Sequence, residues 1–252
     1  MSLFVEAKLL GEFSVSVNGQ RLYVPAQKQR VLLALLLAEA PRSVSLEQLV
    51  GYLWDDDRRP HNERGALHIH MARLRHALAR ADRRLNVVIR TEEGSYRVVC
   101  DRLDTDLTSY QDWCAGARVA RQSGDDTAER RCIEQALALW QGELLEDVPA
   151  AAAYDRTRLQ LRERQLDLTE RLHELRIAGG EPGCAVADLR RLVAVHPLRE
   201  NTWYLLMKAL LEAGRSAEAV ATFSTARNVF VKELGVEPGV QLRALFEEVL
   251  AA

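Results

Sequence analysis

Apolar and polar residues alternate one by one in two short stretches near the start of the chain. FSVSV (13–17) and RLYV (21–24) both show the two-residue period of a half-buried strand. Asn18-Gly19 lies between them, and this pair readily adopts the two positive φ values of a tight type I′ turn. The pattern therefore predicts a β-hairpin, which is followed by a change to helical spacing.

Three helices are predicted after the hairpin. QKQRVLLALLLAEA (27–40) is strongly apolar and ends before Pro41. Ser45 is a suitable N-cap for a short second helix over residues 46–54. Apolar residues at helical spacing then predict a third helix from about Glu63 to Ala81.

VVIRTEEGSYRVV (87–99) predicts a closing hairpin with its turn around Glu93-Gly94. Strands, three helices and a hairpin, in this order, are the plan of a winged helix-turn-helix, here with an extra N-terminal sheet. A small α+β domain that binds nothing fits the order of elements equally well. The choice between the two depends on what the third helix exposes.

From about Asp104 the pattern is helical, with a long helix over roughly residues 151–178. The last third repeats itself at an offset of 34 residues, which aligns Gly180 with Gly214, Ala185 with Ala219 and Val186 with Val220. This is the tetratricopeptide period, although two partial units also fit ordinary helical hairpins. Aromatic and Met side chains at helical spacing in this part are interpreted as core, not as a ligand pocket: Trp203, Tyr204, Met207, Phe223 and Phe230.

On a helical wheel the third helix has one narrow apolar stripe, formed by Leu67, Met71, Leu74 and Leu78. The opposite sector holds His68, Ile69, Ala72, Arg73, His76 and Arg80, while His70 and Arg75 lie toward opposite flanks. We expect the stripe to face the core and the opposite sector to face solvent or a partner.

The histidines of this helix are not arranged as metal ligands. His68 and His70 diverge by about 200° on a helix of 3.6 residues per turn. Neither has a Cys, Asp or Glu three or four residues away in the helix, the spacing that places ligands together. No histidine has a visible nucleophile and orienting acid either. We expect no metal, no cofactor and no catalytic site.

An Arg- and His-rich face with no acid between Arg64 and Ala81 is suited to the major groove of DNA. Arginine can bond guanine through two hydrogen bonds, histidine can reach bases or phosphates, and Ile69 could pack on a thymine methyl. A solvated basic face is the alternative interpretation.

Composition and charge add a division of the chain. The 252 residues are 48% hydrophobic and 28% charged, which suits one large or two ordinary globular domains. Residues 1–100 hold 15 Lys and Arg against 11 Asp and Glu, so the net charge of −2 divides into +4 here and −6 over residues 101–252. The split favours two domains and a polyanionic partner for the first.

The cellular compartment is predicted from the cysteine spacing and from the lack of export and membrane-spanning signals. The four cysteines form no CxxC pair, so we expect neither a disulfide nor a zinc framework, and a reducing cytoplasm. Neither an export signal nor an apolar run of the roughly 20 residues that span a bilayer is visible, so no membrane partner is expected.

Several stretches resemble known domains. LHIHMARLRHAL (67–78) resembles the recognition helix of the OmpR/PhoB-type winged helix, and SLEQLVGYLW (45–54) resembles the helix before it. LTSYQDW (107–113), ALALWQGELLED (136–147) and the segment 196–245 look like the bacterial transcriptional activator domain. Together they resemble the Streptomyces antibiotic regulatory protein family over nearly the whole chain.

The resemblance implies a mainly α fold with an α+β N-terminal part. It places a winged helix-turn-helix domain over residues 1–102 and an all-α, tetratricopeptide-like activator domain over residues 104–252. It also implies a cytoplasmic, nucleoid-associated activator that binds direct repeats near a promoter as a side-by-side dimer. Such a protein would recruit RNA polymerase to secondary-metabolite (antibiotic) biosynthesis genes. The alternative is a helical-repeat scaffold whose winged helix contacts protein.

Carried over by position, the resemblance assigns DNA base contacts to His68, Ile69, Ala72 and Arg73. DNA backbone contacts are assigned to Trp54, Arg64, His70, Arg75, Arg90 and Arg97. The wing departs from the family pattern because Glu92 and Glu93 are adjacent carboxylates, which phosphates would repel. Either these carboxylates point away from DNA, or Arg90 and Arg97 alone anchor the wing.

Overall fold

The structure, a computed structural model, describes residues 3–24, 26–149 and 155–251. It is mostly helical and has its strands in the first 105 residues, so the expected fold class is confirmed. The chain divides into two compact units, and the described residues of one lie within 1–123 and 134–164, those of the other within 124–133 and 165–252. Neither unit ends at residues 102–104, where the sequence places the boundary between the two domains. That domain boundary stays a prediction.

The first unit begins with a four-stranded sheet whose strands lie in the order β3-β2-β1-β7. Its members are β1 (Phe4–Lys8), β2 (Ser14–Val17), β3 (Gln20–Leu22) and β7 (Arg102–Thr105). Asn18 and Gly19 have φ values of 50° and 81°, which confirms the predicted turn between β2 and β3. β7 pairs in parallel with β1, a pairing that the sequence pattern did not predict.

The winged-helix part contains three helices and a small sheet of order β4-β6-β5. Its elements are α1 (Gln27–Glu39), β4 (Val44–Ser45), α2 (Leu46–Leu53), α3 (Glu63–Ala81), β5 (Ile89–Glu92) and β6 (Ser95–Val98). All three predicted helices and the closing hairpin are confirmed. Ser45 caps α2 as expected, because its Oγ accepts the N–H of Gln48 at 3.1 Å while the Gln48 side chain accepts the N–H of Ser45.

Two carboxylates from later in the chain complete the first unit. Asp106 accepts the main-chain N–H groups of Leu9 and Leu10, and Asp147 accepts that of Phe13 at 2.7 Å. Asp147 also pairs with Arg30 of α1. These bonds satisfy main-chain donors just beyond β1, where Leu10 forms an isolated antiparallel bridge with Leu144.

Helices account for the rest of the described chain: α4 (Asp106–Gln122), α5 (Asp126–Ala138), α6 (Asp155–Ala178), α7 (Pro182–Val195), α8 (Glu200–Glu212), α9 (Ser216–Leu234) and α10 (Val240–Ala251). The predicted helix over 151–178 is confirmed from Asp155 onward, and residues 151–154 lie outside the described residues.

The internal repeat is confirmed within the second unit. α7 and α9 begin 34 residues apart, and each follows a glycine of positive φ, Gly180 and Gly214. Ala185 and Ala219, which occupy equivalent positions, are fully buried. The core of this unit includes Trp203, Met207, Phe223 and Phe230, with Tyr204 packed against it at the edge, as the sequence predicted.

Candidate nucleic-acid interface

The two ends of α3 are closed by hydrogen bonds of Asn62 and Asp82. Asn62 caps the first turn by accepting the N–H of Gly65 at 2.9 Å. Asp82 ends the helix by donating its N–H to Leu78 O, and its carboxylate accepts the N–H of Arg84. Because both ends are capped, α3 is a well-bounded helix of 19 residues.

The apolar stripe of α3 faces the core as predicted. Leu67, Met71, Leu74 and Leu78 are all at most 2% exposed. α1 and α2 supply the packing surface for this stripe. The opposite face is therefore the one that the domain presents outward.

The exposed face of α3 carries all four residues predicted to contact bases. His68, Ile69, Ala72 and Arg73 are exposed and lie within two turns of one another. Ile69, the large apolar residue of this face, is 53% exposed. Further exposed basic side chains continue the face at both ends: Arg64, His76 and Arg80. The structure brings these residues together, while their contacts to DNA remain a prediction.

Arg75 lies on the flank of α3 and bonds the closing hairpin. Its Nε and Nη2 donate to the main-chain oxygen of Ile89 at 3.0 and 2.8 Å. Nη2 also donates to the Oγ1 of Thr91 at 2.7 Å, and the guanidinium lies 5.6 Å from the centre of the Tyr96 ring. No sequence pattern predicts these bonds, because one acceptor is a main-chain oxygen of a distant strand.

The hairpin register places Arg90 directly opposite Arg97. Adjacent side chains on a strand point to opposite faces, so both arginines lie on the face away from Thr91 and Tyr96. Arg97 Nη2 pairs with Glu92 Oε1 at 2.7 Å, and Glu92 Oε2 accepts the hydroxyl of Ser43 at 2.6 Å. Glu92 is therefore held by neighbours on its own face of the sheet.

The turn of the hairpin exposes Glu93. Gly94 follows it with a φ of 70°, a conformation that favours glycine. The carboxylates of Glu92 and Glu93 thus have different environments: one is paired, and the other stands at the tip of the wing.

Trp54 and His70 form a cluster with Lys28 of α1. The Trp54 and His70 rings lie 6.0 Å apart, and Lys28 Nζ lies 5.1 Å from the centre of the Trp54 ring while donating to the Leu53 main-chain oxygen. Burial, followed by the charges of Arg73 and Lys28, lowers the pKa of His70. We therefore treat His70 as neutral at pH 7, with one N–H to donate.

The described residues also bear on metal binding and on membrane crossing. They contain no group of three or more His, Cys, Asp or Glu side chains arranged to hold a metal ion. Within the same residues, no helix combines the length and apolar character that crossing a membrane requires.

Comparison with known families decides the classification. Residues 21–98 match the family model described as "Transcriptional regulatory protein, C terminal", and residues 105–250 match "Bacterial transcriptional activator domain". The second match spans more than half of the chain. The chain belongs to the Streptomyces antibiotic regulatory protein family. Members of this family are transcriptional regulators and not enzymes.

This family member is 36% identical to the regulatory protein AfsR of Streptomyces griseus over 244 residues, which cover 97% of the chain. They cover 24% of AfsR, so the chain spans about a quarter of that relative's length. It is 32% identical to the transcriptional regulator RedD of Streptomyces coelicolor, covering 98% of the chain and 71% of RedD.

A solved structure has a similar fold. It is Mycobacterium tuberculosis EmbR in complex with a low-affinity phosphopeptide, with a TM-score of 0.87 and 27% identity. The match covers 99% of this family member and 65% of the EmbR chain. The helical repeat and the winged helix thus occur together in another regulator.

Proposed function

We propose that this chain is a sequence-specific DNA-binding activator that binds direct repeats near a promoter and recruits RNA polymerase. The target genes that we propose direct antibiotic biosynthesis, in line with the family to which the chain belongs. Such an activator works in the cytoplasm, on the nucleoid. One observation carries the proposal: α3 buries its whole apolar stripe and exposes His68, Ile69, Ala72 and Arg73 on a basic face.

Each residue of the exposed face has a role in this proposal. Arg73 donates to the acceptors of a guanine, and His68 donates to a base edge. Ile69 and Ala72 pack on thymine methyl groups, which gives the exposed isoleucine a partner. Sequence preference then arises from α3, because the major groove presents a different pattern for every base pair.

Other residues are proposed to hold the DNA backbone. Arg64 is exposed at the start of α3, and Arg90 is exposed on β5. Trp54 and His70 are half-buried beside Lys28, where a neutral imidazole N–H could donate to a phosphate oxygen. Arg97 is also proposed to bind a phosphate. Its ion pair with Glu92 would then be broken, or the guanidinium would be shared between the carboxylate and the phosphate.

The acidic remainder of the chain is proposed to contact polymerase and to pair protomers. Its net charge makes it a poor polyanion-binding surface. Two protomers side by side would occupy two repeats on one DNA face, separated by about one helical turn of 10–10.5 base pairs. Contact between them would raise the apparent affinity by effective concentration, without any new base contact.

The test is binding of the full chain to duplex DNA across a range of salt concentrations. Neutralised phosphates release counterions, so we expect log K to fall steeply and linearly with log salt. Arg121→Ala serves as the matched control, because Arg121 is exposed on α4 and has no proposed DNA contact. It should keep the parent's slope.

The alternative is a protein-interaction scaffold in which the winged helix contacts protein. A scaffold would bind duplex DNA weakly and without a steep salt dependence. Activation is tested in a purified transcription assay on a template with two repeats, because an activator raises transcript yield and a scaffold does not. Salt-dependent binding with no gain in transcript would restrict the function to DNA binding.

A further inference from the structure

Arg75 connects α3 to the strand at the edge of the wing. β5 has β6 on one side, and no described strand pairs with its other side. The Ile89 oxygen on that free side accepts two N–H groups of Arg75, and the Thr91 hydroxyl accepts a third bond. The guanidinium therefore takes the place that a neighbouring strand would hold.

The same bonds constrain what else the Arg75 side chain can do. A guanidinium holds five N–H donors in one rigid plane, and the donors of Nε and Nη2 bond Ile89 and Thr91. Turning Nε or Nη2 toward a phosphate would break these bonds, which leaves only the two N–H groups of Nη1 outside them. The hairpin is also tied to α3 through the chain itself, by a 3-10 helix over Arg83–Val87. That link ends at Val87, and Arg75 holds β5 both at its first residue, Ile89, and two positions farther along, at Thr91.

We propose that Arg75 is a positioning residue that fixes the wing against the recognition helix. With α3 in the major groove, the fixed hairpin keeps Arg90 within reach of the DNA backbone. The inference rests on the proposed DNA binding, and it replaces a direct phosphate contact for Arg75 with an action through the wing.

The experiment is a double-mutant cycle between Arg75 and Arg90, measured on the full chain. The DNA is a duplex selected by this protein from a random library, and the affinity is measured over a range of salt concentrations. Arg90→Ala in the parent should reduce the salt slope by about one, the loss of one phosphate contact. In the Arg75→Lys background, Arg90→Ala should leave the slope unchanged, because the wing is no longer held in place.

Arg75→Lys separates positioning from a phosphate contact. Lysine keeps the charge but has no planar fork to bridge Ile89 and Thr91. A positioning role predicts that Arg75→Lys binds DNA as weakly as Arg75→Ala. A phosphate contact predicts that Arg75→Lys keeps most of the parent's affinity, and that the Arg75 and Arg90 changes reduce the slope additively.

Thr91→Val keeps the test valid should the Arg75 variants unfold. It preserves side-chain shape and removes only the hydroxyl that Arg75 bonds. It should weaken DNA binding in the same direction as Arg75→Lys, with an unchanged thermal unfolding midpoint. Wild-type binding by Thr91→Val or by Arg75→Lys, additivity in the cycle, or no effect of Arg90→Ala alone would each overturn the inference. Loss of salt-dependent binding in the parent would instead refute the proposed function.

Discussion

The carboxylate of Asp106 accepts the main-chain N–H of Leu9 at 2.8 Å, although 97 positions separate the two residues. Leu9 is completely buried, and so is its neighbour Leu10, whose N–H the same carboxylate accepts. Asp106 lies beyond the expected end of the DNA-binding domain, yet it satisfies donors at the end of β1. The N-terminal sheet thus depends on residues that follow it by about a hundred positions.

Asp106→Ala should destabilise the chain by about 1–3 kcal/mol, because it leaves buried N–H groups without an acceptor. Asp106→Asn keeps one acceptor oxygen and should cost less. Asp112→Asn, on the exposed side of α4, is the control and should be near neutral. Denaturant unfolding of the full chain measures all three, and a neutral Asp106→Ala would contradict the role given to this carboxylate.

The same bonds predict how fragments of the chain behave. A fragment of residues 1–102 lacks Asp106, Asp147 and most of β7, so it should be less stable than a fragment of residues 1–164. Amide hydrogen exchange at Leu9, Leu10 and Phe13 measures the difference directly. Equal protection in the two fragments would support the shorter domain boundary that the sequence indicates.

Periodicity predicted the three helices and the closing hairpin of the winged helix because each depends on local spacing. The stripe of Leu67, Met71 and Leu74 follows from the helical repeat, and the turn at Asn18-Gly19 follows from residues that tolerate positive φ. β7 was missed because RLDT is short and pairs with a strand about a hundred residues earlier. No local pattern encodes such a partner.

The interface was predictable in part for the same reason. The exposed face of α3 follows from the wheel, since burial of one stripe determines what lies opposite. The bonds of Arg75 were not predictable, because the acceptor is a main-chain oxygen of another strand and carries no side-chain signature. The contacts of Glu92 were not predictable either, because its pairing with Arg97 depends on the strand register and its bond to Ser43 depends on the tertiary fold.

The two wing carboxylates should respond differently to neutralisation. Glu93→Gln removes an exposed charge at the tip, so DNA binding should tighten by a few fold at low salt and by less at high salt. Glu92→Gln removes the partner of Arg97 and should not give the same gain. Affinities at two salt concentrations measure both variants. Absence of any gain for Glu93→Gln would mean that the tip points into solvent.

The second unit contains a buried acid whose partners should dominate its stability. Glu170 is 5% exposed and accepts hydrogen bonds from Arg199, Asn201 and Thr202. Arg199→Ala leaves that carboxylate without its counter-charge and should cost about 3–5 kcal/mol. Arg191→Ala removes an exposed pair with Asp188 and should cost under about 1 kcal/mol. Chemical unfolding of the full chain compares the two, and similar losses would contradict the assignment.

Acid should destabilise the chain through His173. Burial lowers the pKa of this imidazole, and Arg176 adds to that effect, while Asp188 and Glu170 oppose it. The unfolded chain takes up the proton near pH 6.5, above the folded pKa, so stability falls as the pH drops below about 6.5. His70 contributes in the same direction.

His173→Leu should therefore reduce the loss of stability between pH 7.5 and 5.5, while His76→Gln, on the exposed face of α3, should preserve it. Unfolding midpoints at a series of pH values measure this difference. An undiminished loss in His173→Leu would show that other groups cause the acid sensitivity.

The base preference of the full chain, selected from a random duplex library, tests most directly whether the exposed face of α3 reads DNA. The parent should select one defined site. Arg73→Ala should select the same site with the preference relaxed at one base pair, and should lose about 1–3 kcal/mol of binding free energy. Arg121→Ala should match the parent. An unchanged base preference in a folded Arg73→Ala variant, or no site selected by the parent, would contradict the account.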